Sequence, residues 1–342
     1  MKILIVKMFA LGDVFVTTPM FKLIKEKYPS VKIHHLVSDE CKIVTENNPF
    51  VDKQIKIKFS NKDKNILIKV FYFLKLYHDL KKEKYDFVFI FHRNFNFQLL
   101  FKLLGVPKIF GFESKINLFL SNSLKYNLSS NRTLQEYLLI KKAGFKINKP
   151  IELSFYPNVN NINNLITNNL PKKYIAINIG GGNKMAPATN RMWPAKLYKG
   201  LIDKLNEPIV LLGNGKTDFD LSMKLEKSLN KKIINLVNKT NLDETAIILE
   251  KSMLYIGNDS SLLFLAAAMK TSTLGLYGPT QRDLACPLGN KQYTIVGHSI
   301  CSPCYNPFEG MKGKMFICKN NICMQSISVE KVYDKIQEIK VQ

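Results

Sequence analysis

Gly257-Asn-Asp-Ser-Ser-Leu-Leu-Phe-Leu-Ala-Ala-Ala268 is the most informative stretch of this chain. It follows an apolar, strand-like run, Met253-Leu-Tyr-Ile256, and opens an apolar, helix-like run that ends near Lys270. A strand, a tight polar turn and a helix start in that order make an anion site. The first backbone N–H groups of a helix lack an intrahelical partner and point past the turn. Asp259 or Ser260 can cap the helix, and Ala266 to Ala268 are small enough to let it lie close on a sheet. The segment predicts a phosphorylated ligand, with Asn258, Asp259, Ser260 and Ser261 in contact with it.

Outward from this stretch, strand and helix patterns alternate in both halves. In the first, Ile3–Val6, Lys32–Val37, Ile55–Ile57 and Phe87–Phe91 read as strands. Thr17–Lys27, Asn65–Lys81, Phe97–Leu104 and Leu134–Ala143 read as helices, the last two stopped by Gly105 and Gly144. In the second, Tyr174–Ile179, Ile209–Leu212, Ile233–Val237, Met253–Ile256 and Thr273–Tyr277 alternate with helical runs from Pro194, Asp218, Asp243 and Ser260. Such alternation predicts α/β architecture: parallel sheets covered by helices on both faces. The Asn-rich residues 157–171 read as a linker, part of which could be a short helix. The expected division is therefore a domain over 1–157, a second over 172–327, and an amphipathic helix in 328–342 that packs back on the first. Two doubly wound domains of this kind are expected to face each other across a cleft and hold ligand at the carboxyl ends of their strands.

Composition narrows the function. The chain has 342 residues, enough for two ordinary domains, and is 46% hydrophobic, enough for two cores. Lys and Arg number 50 against 27 Asp and Glu, for a formal charge of +23. Such a surface suits anionic lipid or phosphorylated glycan, although a generally Lys-rich composition gives the same count. No zinc-finger spacing, RNP motif or basic helix points to nucleic acid, and no apolar run is long enough to span a membrane. The N-terminal strand lacks the features of a signal peptide. A cytoplasmic protein is expected, with reduced thiols, peripheral at the inner face of the membrane.

Several residues could carry chemistry. The first strand leads into Lys7-Met-Phe-Ala-Leu-Gly-Asp13. Gly12 would permit a tight turn, and Asp13 at the start of the next helix would stay ionised in the helix dipole. It is either a plain N-cap or a general base for an acceptor hydroxyl. His92 and Arg93, at the end of the Phe87–Phe91 strand, are candidates for acceptor contacts. In the second half, Gly180 and Gly181 let a ligand approach the backbone, and Lys184 and Arg191 add positive charge for a leaving diphosphate. Asp218 and Asp220 look like a metal pair but lie two apart on a helix, facing different ways. Gly215-Lys216-Thr217 lacks the first glycine of a P-loop, and no complete G-x-G-x-x-G exists, which disfavours a dinucleotide oxidoreductase. Cys301, Cys304, Cys318 and Cys323 form C-x2-C-x13-C-x4-C, a spacing open to structural zinc or to free thiols in a closing loop.

As a set, these segments resemble glycosyltransferase family 9, the ADP-heptose:lipopolysaccharide heptosyltransferases. The opening Lys2-Ile-Leu-Ile-Val-Lys7 with Leu11-Gly-Asp-Val14 and Thr18-Pro19, the Ile177-Asn-Ile-Gly-Gly181 loop, Arg191-Met-Trp-Pro194, Leu236–Thr240, Tyr255–Ala268 and Leu276-Tyr-Gly-Pro-Thr280 carry the likeness. Cys301-Ser-Pro-Cys304 and the later cysteines also recur in members of the family. The resemblance implies a GT-B fold of two Rossmann-like domains, acceptor on the first and nucleotide sugar on the second. It implies inverting transfer with neither metal nor cofactor, ADP-heptose as donor and a lipopolysaccharide core or related surface glycan as acceptor. Asp13 would match the catalytic base, Arg191 the basic residue on the diphosphate, and Asp259 and Ser260 the donor turn. Where the family reads G-N-D-S-G-P-M-H, this chain has Ser261, Leu262 and Phe264 in place of the glycine, proline and histidine. That departure leaves two alternatives: a different nucleotide-sugar donor, or a member that binds without turnover.

Overall fold

The computed structural model describes residues 1–57, 66–148, 150–181, 189–289, 291–309 and 312–341. The chain divides into two compact units, Met1–Tyr156 and Pro157–Gln342.

The first unit runs β1 (Lys2–Val6), α1 (Leu11–Lys27), β2 (Lys32–Ser38), β3 (Lys53–Ile57), α2 (Ile66–Lys81), β4 (Phe87–Ile90), α3 (Phe95–Leu103), β5 (Lys108–Phe112), β6 (Asn122–Leu124) and α4 (Arg132–Lys142). Its strands form one parallel sheet in the order β3-β2-β1-β4-β5-β6. Ile3 to Val6 are fully buried, as a central parallel strand covered on both faces requires. Two strands escaped the sequence patterns. β5 carries Gly111 in a close-packed spot, and β6 is a three-residue edge whose identity depends on pairing with β5. The first helix begins at Leu11, six residues before the expected start, and contains Pro19. Proline cannot donate to the carbonyl four residues back. The Thr18 hydroxyl donates to that carbonyl, on Phe15, at 2.8 Å instead.

The second unit runs α5 (Asn164–Asn168), β7 (Ile175–Asn178), α6 (Ala195–Lys204), β8 (Ile209–Leu211), α7 (Lys216–Ser228), β9 (Ile234–Asn235), α8 (Leu242–Lys251), β10 (Leu254–Asn258), α9 (Ser261–Ala268), β11 (Thr273–Tyr277), α10 (Arg282–Ala285), β12 (Gln292–Val296), α11 (Lys314–Ile317), α12 (Ile322–Gln325) and α13 (Val329–Val341). Its parallel sheet has the order β12-β11-β10-β7-β8-β9. That is the first unit's order repeated, a likeness invisible at residue level.

Residues 157–171, read as a linker that could hold a short helix, contain α5 and are docked onto α8. The Asn158 backbone N–H and Asn161 Nδ2 donate to Asp243 at 3.0 and 2.9 Å, and the Asn163 N–H donates to Glu244 at 2.9 Å. The C-terminal helix α13, expected on the first domain, lies on α6 of the second unit. Val332 and Ile336 join that unit's core, and Lys204 pairs with Glu330 at 2.9 Å.

Candidate functional site

In each sheet the strand order reverses between two central neighbours, β1 and β4 in one and β7 and β10 in the other. Loops leaving such a pair part in opposite directions and open a crevice at the carboxyl edge, where α/β sheets bind ligands. Both crevices fall on residues picked out by the sequence.

In the second unit, the turns after β7 and β10 are locked together. Asn258 is fully buried: its Nδ2 donates to the Gly180 carbonyl at 2.8 Å, and its Oδ1 accepts from the Trp193 backbone N–H at 2.9 Å and the Tyr198 hydroxyl at 3.3 Å. These bonds tie the glycine turn to the start of α6. Trp193 itself is core, packed edge-on against Tyr198 at 4.8 Å, with Nε1 donating to the Ile327 carbonyl. Gly181 has φ +140°, a conformation that favours glycine, and Ser260 lies beside it. Ser260 precedes α9 as its N-cap residue but makes no side-chain cap; its hydroxyl reaches Asn178 Oδ1 at 3.5 Å. Ser261 is the first residue of α9.

Arg191 supplies the cation. Its guanidinium lies 3.4 Å from the Asp259 carboxylate, stacks 4.5 Å from the centre of the Tyr305 ring, and donates through Nε to Met315 Sδ at 3.3 Å. Asn190, in the same turn, donates to the Met315 and Cys318 carbonyls at 2.9 and 2.8 Å. The late, Cys-containing segment therefore braces the arginine turn. No local pattern connects residues so far apart in sequence. Lys184 lies outside the described residues. A cavity of about 610 Å3 opens beside the turn, lined in part by Ile179, Met192, Trp193, Pro194 and Thr217.

Asp218 was the residue most underrated by sequence. It is buried, and its carboxylate accepts from the Gly181 and Asn214 N–H groups at 3.4 and 3.3 Å and from Asn178 Nδ2 at 3.5 Å. Burial pushes its pKa up, against those donors. It supports the glycine turn from below. The only hint in sequence was an acid in the first turn of a helix after Gly213-Asn-Gly215.

The late cysteines are free thiols. Cys304 is raised in pKa by burial and then by Cys301, Cys323 and Cys318, so the four lie within electrostatic reach of one another. Among the described residues, no three His, Cys, Asp or Glu side chains are grouped as a metal site requires. The Leu276–Thr280 turn packs on Cys323 instead: a Cβ on Gly278 would stand 2.9 Å from the Cys323 sulfur.

In the first unit, Asp13 lies in the first turn of α1, one-third exposed, ion-paired to Arg132 of α4. Four residues along the same face of α4, Glu136 is buried. It accepts from Lys7 Nζ at 2.9 Å and from the Thr17 hydroxyl at 2.7 Å. Arg132 and Glu136 thus fasten α4 to α1 and to the end of β1. The expected role of Gly12 is corrected: it is helical, and the turn is made by Ala10 at φ 64°. His92 Nε2 accepts the Met8 N–H at 2.8 Å. Burial, with help from Lys7, lowers its pKa to about 3, so the ring is neutral and anchors the loop that leads into α1. Arg93 is exposed and donates to the Glu113 carbonyl.

Comparison with known proteins decides the class. The sequence profile of glycosyltransferase family 9 (heptosyltransferase) matches residues 73–313. The chain belongs to glycosyltransferase family 9. It is 26% identical over 311 residues to lipopolysaccharide heptosyltransferase 1 of Campylobacter coli, covering 82% of this chain and 84% of the relative. It is 24% identical over 316 residues to lipopolysaccharide heptosyltransferase 2 of Escherichia coli K12, covering 86% and 88%. Its fold matches the structure of E. coli ADP-heptose lps heptosyltransferase II with a TM-score of 0.75 at 20% identity, over 100% of this chain and 99% of that one. The two doubly wound units of this family 9 chain are those of the GT-B fold. Phe264 is buried in α9.

Proposed function

We propose that this family 9 chain transfers heptose from ADP-heptose to a lipopolysaccharide core or related surface glycan, with inversion and without a metal. Asp13 takes the proton from the acceptor hydroxyl as that oxygen forms its bond to the anomeric carbon. The bond from that carbon to the diphosphate breaks on the opposite side, and ADP leaves. Arg191, with Lys184 and the N–H groups at the start of α9, holds the negative charge of the leaving diphosphate. Gly180, Gly181, Asp259 and Ser260 shape the donor turn, while Arg132 orients Asp13. The acceptor is held by residues of the first unit around Asp13 and Arg93. The reaction takes place in the cytoplasm, at the inner face of the membrane that carries the lipid-linked acceptor. Among the described residues no helix is long and apolar enough to cross a membrane.

The observation that carries this reading is the Arg191 guanidinium held at Asp259, beside the glycine turn and the start of an eight-residue helix. A cation, a close-approach backbone and helix N–H groups on one strand edge are the parts an anionic leaving group needs. Asp13→Asn should lower turnover by about 10²- to 10⁴-fold, while ADP-heptose binding measured by calorimetry stays within about twofold, since the substituted atom carries a proton and not the donor. Full transferase activity in that variant would remove Asp13 from the mechanism. The sequence departure at Ser261, Leu262 and Phe264 motivates a second reading, a donor sugar other than heptose, and a panel of nucleotide sugars separates the two.

A further inference from the structure

The first unit carries an apolar surface that its own fold leaves uncovered. One face of α2 packs into the core through Leu76 and Leu80, while Phe71 and Leu74 face solvent, 64% and 58% exposed. Leu103 of α3 and Leu118 of the following loop are 61% and 75% exposed, joined by Leu99 and Ile116. These elements are contiguous. The Tyr77 hydroxyl donates to the Leu103 carbonyl at 3.5 Å, Gln98 Nε2 donates to the Ser114 hydroxyl at 3.2 Å, and Phe95 stacks on Phe119 at 5.7 Å.

The charges around this surface are mostly positive. Lys75, Lys81, Lys82, Lys102 and Lys115 are exposed, whereas Asp79 is the only acidic residue in α2 and α3, and residues 114–120 contain none. Exposed aromatic and aliphatic side chains among lysines suit the interface of an anionic bilayer, where the apolar groups enter the headgroup boundary and the ammonium groups meet lipid phosphates. A protein partner recognised through such a face would need acidic groups around an apolar centre. A bilayer of anionic phospholipid presents both over any area.

We infer that the α2–α3–114–120 surface docks the protein on anionic phospholipid. The inference deepens the reading above by naming the surface that brings the enzyme to a lipid-linked acceptor, and it rests on that reading only for its purpose.

The test is flotation of the full chain with phosphatidylcholine vesicles, with and without about 30 mol% phosphatidylglycerol. The parent should bind the anionic vesicles and lose most binding in about 0.5 M salt. A variant with Phe71→Ser, Leu74→Ser, Leu103→Ser and Leu118→Ser should bind at least about tenfold more weakly. All four sites are exposed, so its melting temperature should stay near the parent's. Lys75→Glu, Lys102→Glu and Lys115→Glu together should abolish the preference for anionic vesicles. Parent protein that ignores both vesicles overturns the inference, as does a serine variant that binds like the parent. So does a parent that is dimeric in sedimentation and indifferent to vesicles, with a monomeric serine variant, because a second copy would then be the occupant. ADP-heptose binding and transfer to detergent-dispersed acceptor are measured separately. If these persist while vesicle binding fails, docking is refuted and the functional reading stands.

Discussion

Gly180→Ala is the sharpest test of how the donor turn is built. Gly180 does not lie in the left-handed region, so alanine meets no backbone strain. The obstacle is contact: a Cβ there would stand 1.9, 2.1 and 2.4 Å from Asp218 Oδ1, Cγ and Oδ2. The whole carboxylate would have to move by more than about 1 Å to reach ordinary contact distance. It is buried and accepts from the Gly181 and Asn214 N–H groups, which would lose their partner. Overpacking at about 1–3 kcal/mol, with weakened hydrogen bonds to a buried carboxylate, gives a total of about 2–4 kcal/mol. For a unit of this size that lowers the melting temperature by roughly 5–15 °C. Trp193 is the only tryptophan, buried in the second unit, so its fluorescence reports that unit's unfolding alone. ADP affinity by calorimetry should fall at least about tenfold as the turn shifts. The decisive arm is a double-mutant cycle. On an Asp218→Ala background the obstructing atoms are gone, and Gly180→Ala should cost less than about 1 kcal/mol. Gly180→Ala melting within about 1 °C of the parent, or costing the same on both backgrounds, would refute the contact argument.

Three further outcomes are expected. Lys7→Met leaves Glu136 buried without its cation and should destabilise the chain by about 3–5 kcal/mol in calorimetry, with Lys7→Met/Glu136→Leu recovering most of the loss. Glu83 is held by hydrogen bonds from Lys2 and Lys53, which lower its pKa to about 2 from an ordinary 4.5. A depressed carboxylate stabilises the fold above its unfolded pKa and loses that contribution as pH falls toward the folded value. The melting-temperature gap between parent and Glu83→Gln should therefore be largest above pH 5 and close as pH drops from about 4.5 to about 2. Asn258→Ala breaks the ties to Gly180, Trp193 and Tyr198 at a fully buried position, and should cost about 2–4 kcal/mol by Trp193 fluorescence, with loss of ADP binding in calorimetry.

The sequence was legible where a local period carries the signal. The buried strands β1, β4, β7, β10 and β11 are short apolar runs bounded by polar turns, and both binding loops follow such strands. It failed where an element depends on its neighbours. β6 has three residues and no apolar period, and only pairing with β5 makes it a strand. The docking of residues 157–171 could not be read locally because their partners, Asp243 and Glu244, lie some eighty positions on.

The candidate site divides in the same way. Gly181, Arg191, Asp259 and Ser260 were legible as residue types next to a strand or a helix start, because a turn suited to phosphate is marked by a few consecutive positions. What the residues do was decided by the fold. Asn258 serves as a tie inside the turn, Asp218 as its support, Tyr305 and Met315 as the brace of Arg191, and Arg132 as the partner of Asp13. The chain by itself determined the strongly periodic strands and helices and marked turns suited to an anion, because backbone periodicity and unpaired helix N–H groups are local properties. Only the tertiary structure decided which buried polar groups meet, because Asp13 and Arg132 are 119 residues apart and Arg191 and Met315 are 124 apart. Satisfying a desolvated charge depends on distance in space and not along the chain.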